Sequence, residues 1–323
     1  MEKKLPITIP SIECYQGSSF ILGIISAHER IANAFYNNYI NWVCNDTDLL
    51  SGLDLDFAGI TWEDYRLAGI AEMDMYYLRN IPRDKFVDFI RERIDQDNYL
   101  LFYKIDEYYL SYTNHYGHRH YMHDAYVYGY NDTNFLVMAY HDKRLQLLEV
   151  SVEEIMDGLY YVLEEEETLN FCSFRPYHAA SVQVDYDRMV GEFEKYVSGV
   201  ASNADRIYGV SVYEVLIKCI WLVAEGIVKG EDALLEPKVF RMLWEHKKIL
   251  LVHLEKLKQV EDVKRDILEE MQEIVQSANK VFMLALKYNI TFQNSILHKI
   301  MGYIREIQER EQSVLKQFLC GRN

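Results

Sequence analysis

Apolar and polar positions alternate in two different rhythms along the chain. Between Arg83 and Gln96 the apolar residues Phe86, Phe89, Ile90 and Ile94 recur at helical spacing and predict an amphipathic helix. Residues 98–106, NYLLFYKID, are a short apolar run that predicts a buried strand, and Tyr108 to Thr113 is expected to continue the sheet. Tyr126, Val127, Tyr128 and Tyr130 are strand formers, as are Phe135, Leu136, Val137 and Tyr140, and Asn131-Asp132-Thr133-Asn134 between them is turn chemistry. His123 to Asp142 is therefore expected to fold as a hairpin. Leu145 to Val150 predicts a further strand, and Ser151 with Glu154 three residues on is a capping box that opens a helix. Nearer the start, Phe20, Ile24, Ile25, Ile31 and Phe35 predict a buried helix capped by Ser18 or Ser19. After Val182 the strand rhythm stops, and helices are expected over 184–199, 211–229, 236–258, 261–288 and 291–318. Residues 45–80 carry no pattern that assigns them.

The fold class expected is α+β. An N-terminal domain over 1–180 holds a small antiparallel sheet, and an all-helical domain over 181–323 packs on it, because the composition shifts near 180 without a linker. Half of the residues are hydrophobic and only five are proline, so a sizeable core is expected and long disordered linkers are not. The formal net charge of -16 leaves no concentrated basic footprint for nucleic acid, and it disfavours an anionic membrane surface. The most apolar helical stretch, Val212 to Val228, is interrupted by Glu214, Lys218 and Glu225, as a core helix is and a membrane span is not. Five cysteines at wide spacing, with no CxxC, predict reduced thiols and a cytoplasmic location.

Candidate chemistry gathers around the hairpin. Folding it about its turn places His123 almost opposite Asp142, with Tyr140 and His141 close by, which is a base with an orienter. The nucleophile to match is Cys14, which falls at the start of the first helix, where backbone N–H groups and the helix dipole favour a thiolate. A metal is not expected at His115, His118, His120 and His123, since no HExxH and no further ligand stands at a metal-site spacing; they are expected to form the rim of a site. His28-Glu29 is expected to be structural, its histidine paired to a neighbouring turn or strand and too far along the helix to serve Cys14. Neither GxGxxG, nor the phosphate loop GxxxxGK[ST], nor GxSxG occurs.

Cys14-Tyr15-Gln16-Gly17-Ser18 with its apolar helix, and HDAYVYGYND-TNFLVMAY followed by a Ser-capped helix, resemble the butirosin biosynthesis protein H N-terminal family, a C39-like branch of the papain-fold cysteine peptidases. The resemblance covers about the first 165 residues, and its HDxxVYGYxD element is the more specific half. It implies a papain-like fold and a cysteine acyltransferase of secondary metabolism, with an acyl carrier protein or other acyl-thioester donor and a small-molecule amine acceptor as partners, and no cofactor. It maps the nucleophile onto Cys14 and the base onto His123. The third member has no Asp-Pro to occupy, and Asp142 or Tyr140 stands in its place. Gln16, which follows the cysteine rather than preceding it, and Tyr140 are expected to face the substrate or its oxyanion, and the backbone amide of Cys14 can itself donate to an oxyanion. A carrier protein would need a local basic patch, for which Lys247, Lys248, Lys256, Lys258, Lys264 and Arg265 are candidates. A peptidase or amidase with the same pair, and a catalytically inactive interaction protein, are the alternatives; a homo-oligomer is left open.

Overall fold

A computed structural model describes residues 2–58, 62–142, 144–165, 169–199 and 206–321. In chain order its strands are β1 (Lys3–Lys4), β2 (Trp42–Cys44), β3 (Asp56–Phe57), β4 (Ala71–Tyr77), β5 (Tyr99–Asp106), β6 (Met122–Tyr130), β7 (Asn134–His141), β8 (Arg144–Ser151), β9 (Asn170–Pro176) and β10 (Ile207–Tyr208). Its α-helices are α1 (Gln16–Ala27), α2 (Trp62–Leu67), α3 (Arg83–Asp95), α4 (Val152–Glu165), α5 (Tyr186–Ser198), α6 (Val212–Ala224), α7 (Pro237–Leu257), α8 (Arg265–Thr291) and α9 (Asn294–Cys320). The chain is α+β, with an antiparallel sheet and a helical C-terminal part. It divides into two compact units, residues 1–34 with 61–183, and residues 35–60 with 184–323.

In the first unit the sheet runs β4-β9-β5-β6-β7-β8, every described pairing being antiparallel, and β1 pairs with β6 at Gly129 and Tyr130. The hairpin of β6 and β7 forms as its turn sequence predicts, with Tyr126 opposite Met138 and Val127 opposite Val137. The Ser151 capping box is made as well: Glu154 N–H donates to Ser151 Oγ at 3.2 Å, and Ser151 N–H donates to Glu154 at 3.1 Å. The pleat sorts the side chains onto two faces. Phe102 and Phe171 lie on one face, packed with Phe86 of α3. Tyr126 and Met138 lie on the other, against α1: Phe20 is 4.8 Å from the Tyr126 ring. Gly23 lets α1 come this close, for a Cβ there would stand 2.5 Å from the Thr8 carbonyl oxygen and 3.1 Å from Met138 Cε.

Tyr108–Thr113 is not a strand; Glu107–Tyr109 forms a 3₁₀ turn, because the buried Asp106 carboxylate accepts from Tyr108 N–H and Tyr121 N–H and folds the chain back. Helix α1 stops at Ala27, so Ile31 and Phe35 lie beyond it, and its N-cap is Tyr15 rather than a serine. Ser19 Oγ instead donates within reach of the Ile12 and Tyr15 carbonyls.

The second unit is not all-helical. Helices α5 to α9 match the predicted segments, but they are joined by a three-stranded sheet, β10-β2-β3, two of whose strands come from residues 35–60. Val184 opens the later part of this unit, close to the expected boundary, yet the early segment belongs with it. Its core holds a charge cluster. Lys247 and Glu311 are fully buried and 2.7 Å apart. Lys247 Nζ also donates to Tyr196 Oη at 2.9 Å and to His246 Nδ1 at 3.0 Å, and it lies 4.4 Å from the centre of the Trp42 ring. Tyr196 and Tyr213 both donate to the Glu311 carboxylate. Lys247 is therefore not part of a basic surface patch, and Arg265 is paired with Glu269.

His246 sets the acid limit of this unit. It accepts from Lys247 at Nδ1, donates to the Ile40 carbonyl at Nε2, and is stacked on Trp42 at 4.4 Å. Burial holds its pKa well below 6.5, and burial also lowers His253. A histidine kept neutral in the fold contributes stability that is complete above the unfolded value and is lost as pH falls below it. Denaturant melts between pH 7.5 and 5 should show stability falling below about pH 6.5, with each of the two histidines adding a slope of up to about 1.4 kcal/mol per pH unit. His246→Gln should flatten the curve.

Candidate active site

The first turn of α1 is fixed to the sheet by one side chain. Gln16 is 7% exposed, and its Nε2 donates to the carbonyl oxygens of Asp124 on β6 at 3.4 Å and of Met138 on β7 at 3.3 Å. The segment carrying Cys14 is thereby held beside the strand residue that follows His123. Gln16 does this structural work with the same amide that an oxyanion donor would need, so the expected oxyanion role for it is corrected. Cys14 is half-buried and precedes the helix by two residues.

His123 is held by a carboxylate other than the one expected. Its Nδ1 lies 3.1 Å from Glu107 Oε1, and the other oxygen of Glu107 is 2.8 Å from His115 Nδ1. The bond to Glu107 raises the His123 pKa above 6.5 against the opposing effect of burial. Asp142 falls in the turn between β7 and β8 with φ of 49°, and its side chain is 83% exposed and 3.5 Å from His141 Nε2. His141 itself reaches the Tyr112 carbonyl at 2.8 Å. Asp142 is thus corrected as the orienter of His123, and Glu107 takes that place. Sequence reasoning missed Glu107 because it sits in the 3₁₀ turn after β5, reached through a bulge between Phe102 and Ile105.

Strand parity adds a second fact. His123 pairs with Ile105, whose side chain lies against Gly158 of α4, so His123 belongs to the α4 face of the sheet. Asp124 and Tyr126 alternate onto the α1 face, where Tyr126 Oη donates to Asp124 Oδ2 at 2.7 Å and would stand 3.1 Å from a Cβ on Gly17. Tyr140 shares the α1 face by its two-residue spacing from Met138, and it is half-buried. Tyr103 Oη and Cys172 Sγ, 3.1 Å apart, belong to this face as well.

Two further histidines of the connection before β6, His115 and His120, have structural partners, and His118 is exposed. His120 Nδ1 is 2.5 Å from the buried Asp106 carboxylate, and its ring is sandwiched between Tyr108 and Tyr161 at 4.4 and 4.5 Å. His115 stacks on Tyr121 at 4.5 Å. Among the described residues no group of three or more His, Cys, Asp or Glu side chains is arranged to hold a metal, and no helix is long and apolar enough to cross a membrane.

The thiols differ in burial: Cys44, Cys172 and Cys219 are buried, Cys14 is half-buried and Cys320 is exposed. Burial pushes Cys44 up to about 12 and Cys172 and Cys219 up to about 11, which leaves them as protonated core residues at neutral pH. Cys320 is exposed near the end of α9. Iodoacetamide at neutral pH is expected to label Cys14 and Cys320 in the native protein and to spare Cys44, Cys172 and Cys219 until denaturant is added, as peptide mapping would read out. No protein-family model and no curated protein matches the chain.

Proposed function

We propose that this protein is a cysteine-dependent acyltransferase that moves an acyl group from a thioester, such as one borne by a carrier protein, to an amine. The observation that carries the proposal is the Gln16 amide, which ties the Cys14 segment to β6 next to His123 and to β7. Thiol and imidazole would meet around the tip of β6 rather than across the face of the sheet. The helix N-terminus favours the Cys14 thiolate, and Glu107 favours the imidazolium of His123, which is the ion pair such an attack requires. Cys14 sulfur attacks the acyl carbonyl, the donor's C–S bond breaks, and the donor thiol leaves with the proton of His123. The amine then attacks the acyl-cysteine and returns a proton to His123 as the amide forms and the Cys14 thiolate departs.

A second function, ligand binding on a papain-like fold without covalent chemistry, is favoured by the strand parity that sets His123 on the α4 face. Intact-mass measurement after incubation with aminoacyl thioesters of N-acetylcysteamine separates the two. An acyl increment on the wild-type protein and none on Cys14→Ala supports the transferase. Absence of an increment with any thioester, or an increment that survives in Cys14→Ala, overturns it in favour of the binding protein.

A further inference from the structure

The far end of α1 opens onto a cavity of about 360 Å³ lined by Leu5, Pro6, residues 28–31, Asp97, Tyr99 and the stretch Pro176 to His178 with Ala180. It lies at the C-cap of the twelve-residue helix, about 18 Å along its axis from the Cys14 end, and takes no part in the acyl chemistry above. What distinguishes it is a histidine whose tautomer is set by the protein. Tyr99, 1% exposed, donates its single hydroxyl proton to the Pro6 carbonyl. Its oxygen, 3.0 Å from His28 Nε2, can then only accept, so Nε2 carries the imidazole proton. Burial lowers the His28 pKa, which keeps the ring neutral. Nδ1 is left as a lone-pair acceptor, and among the described residues no hydrogen bond reaches it.

The charges around this acceptor decide what it can hold. Asp97 lies near enough to act electrostatically on His28, as does His178. One oxygen of Asp97 takes Lys3 at 2.9 Å, while the other is 3.7 Å from His178 Nε2 and so lacks a close donor there. Glu29 adds a second carboxylate to the lining, and the guanidinium of Arg30 donates to the His178 carbonyl at 3.0 Å. An anionic ligand would face the Asp97 carboxylate and the Nδ1 lone pair, both acceptors. An ammonium group matches both. Leu5, Ile31 and the ring of Tyr177 supply an apolar wall for the body of such a ligand.

We propose that this cavity binds a small primary amine as its ammonium ion, with one N–H on His28 Nδ1 and the charge balanced by Asp97. The site is independent of Cys14 and stands or falls separately from the transferase.

Isothermal titration of the full chain with phenethylamine, 2-phenylethanol and phenylacetate tests it. Phenethylamine is expected to bind at one site, with the alcohol and the carboxylate each weaker by about tenfold or more. Asp97→Asn should weaken the amine about tenfold and leave the weaker alcohol unchanged. Tyr99→Phe removes the acceptor that holds the His28 proton at Nε2, and should weaken the amine while Asp97 is intact. Circular dichroism checks that each variant is folded; Asp97, 44% exposed in its side chain, can be replaced without disturbing the core even if Tyr99 cannot. Phenylacetate binding as tightly as the amine, amine binding indifferent to Asp97→Asn, or no saturable amine binding at millimolar concentration would each overturn the proposal.

Discussion

Lys247→Met is expected to destabilise the second unit by about 3–5 kcal/mol, the range for stripping one partner from a buried ion pair. The ammonium answers four groups at once: the Glu311 carboxylate, the Tyr196 hydroxyl, His246 Nδ1 and the face of Trp42. Methionine fills the volume but leaves a fully buried carboxylate with two tyrosine donors and no counter-charge. Burial already lowers the lysine pKa to about 8 while Glu311 opposes the shift, so desolvation and pairing are both large here and partly cancel. Glu311→Gln should also be costly, because it strands the ammonium in the same core. The double replacement should cost less than the sum of the two, since neither charge is then left alone. Urea denaturation of the three variants measures this; strictly additive losses would mean that the two side chains act independently.

Under the proposed transferase mechanism, Cys14→Ala is expected to abolish acyl transfer, and His123→Ala to reduce kcat/KM by a factor on the order of 10³ or more. Glu107→Gln is the more discriminating change. It preserves the shape of the contact to Nδ1 and removes the charge that raises the His123 pKa. Turnover should fall by a factor on the order of 10²–10⁴, by analogy with neutralising the orienting carboxylate of a triad. The alkaline limb of the pH profile, where the imidazolium loses its proton, should move to lower pH. A carboxylate that only braced the loop would lower activity at every pH and leave that limb in place. Asp142→Asn, in contrast, should leave both the rate and the profile unchanged, because its side chain points into solvent beside His141.

The five C-terminal helices were legible because each carries a continuous apolar stripe. The predicted 236–258 and the observed Pro237–Leu257 differ by a residue at each end. The hairpin was legible because a polar turn separates two runs of strand formers. Strand β4 was not, since it is an edge strand whose Met75 and Tyr77 are exposed and whose alternation is weak. Strand β9 was missed although it sits between β4 and β5 with Phe171, Cys172 and Phe174 buried. Around the candidate site, periodicity placed Cys14 just before α1 and His123 on the first strand of the hairpin, but it could not supply the bulge before Ile105 that brings Glu107 to the imidazole. Nor could it show that Lys247, in the polar run Glu245-His246-Lys247-Lys248, points inward, since its partners Tyr196, Tyr213 and Glu311 come from three other helices.

Residues 35–60 bear on how the protein is made as well as how it stands. They leave the ribosome well over a hundred residues before α7, yet Trp42 is buried against His246 and Lys247 of that helix. During synthesis this segment can pair β2 with β3, but it must wait for its helices while the sheet between them in the chain is completed. A gene fragment beginning at Val184 would encode five helices without Trp42, β2 or β3, and so would express a core with its aromatic keystone missing.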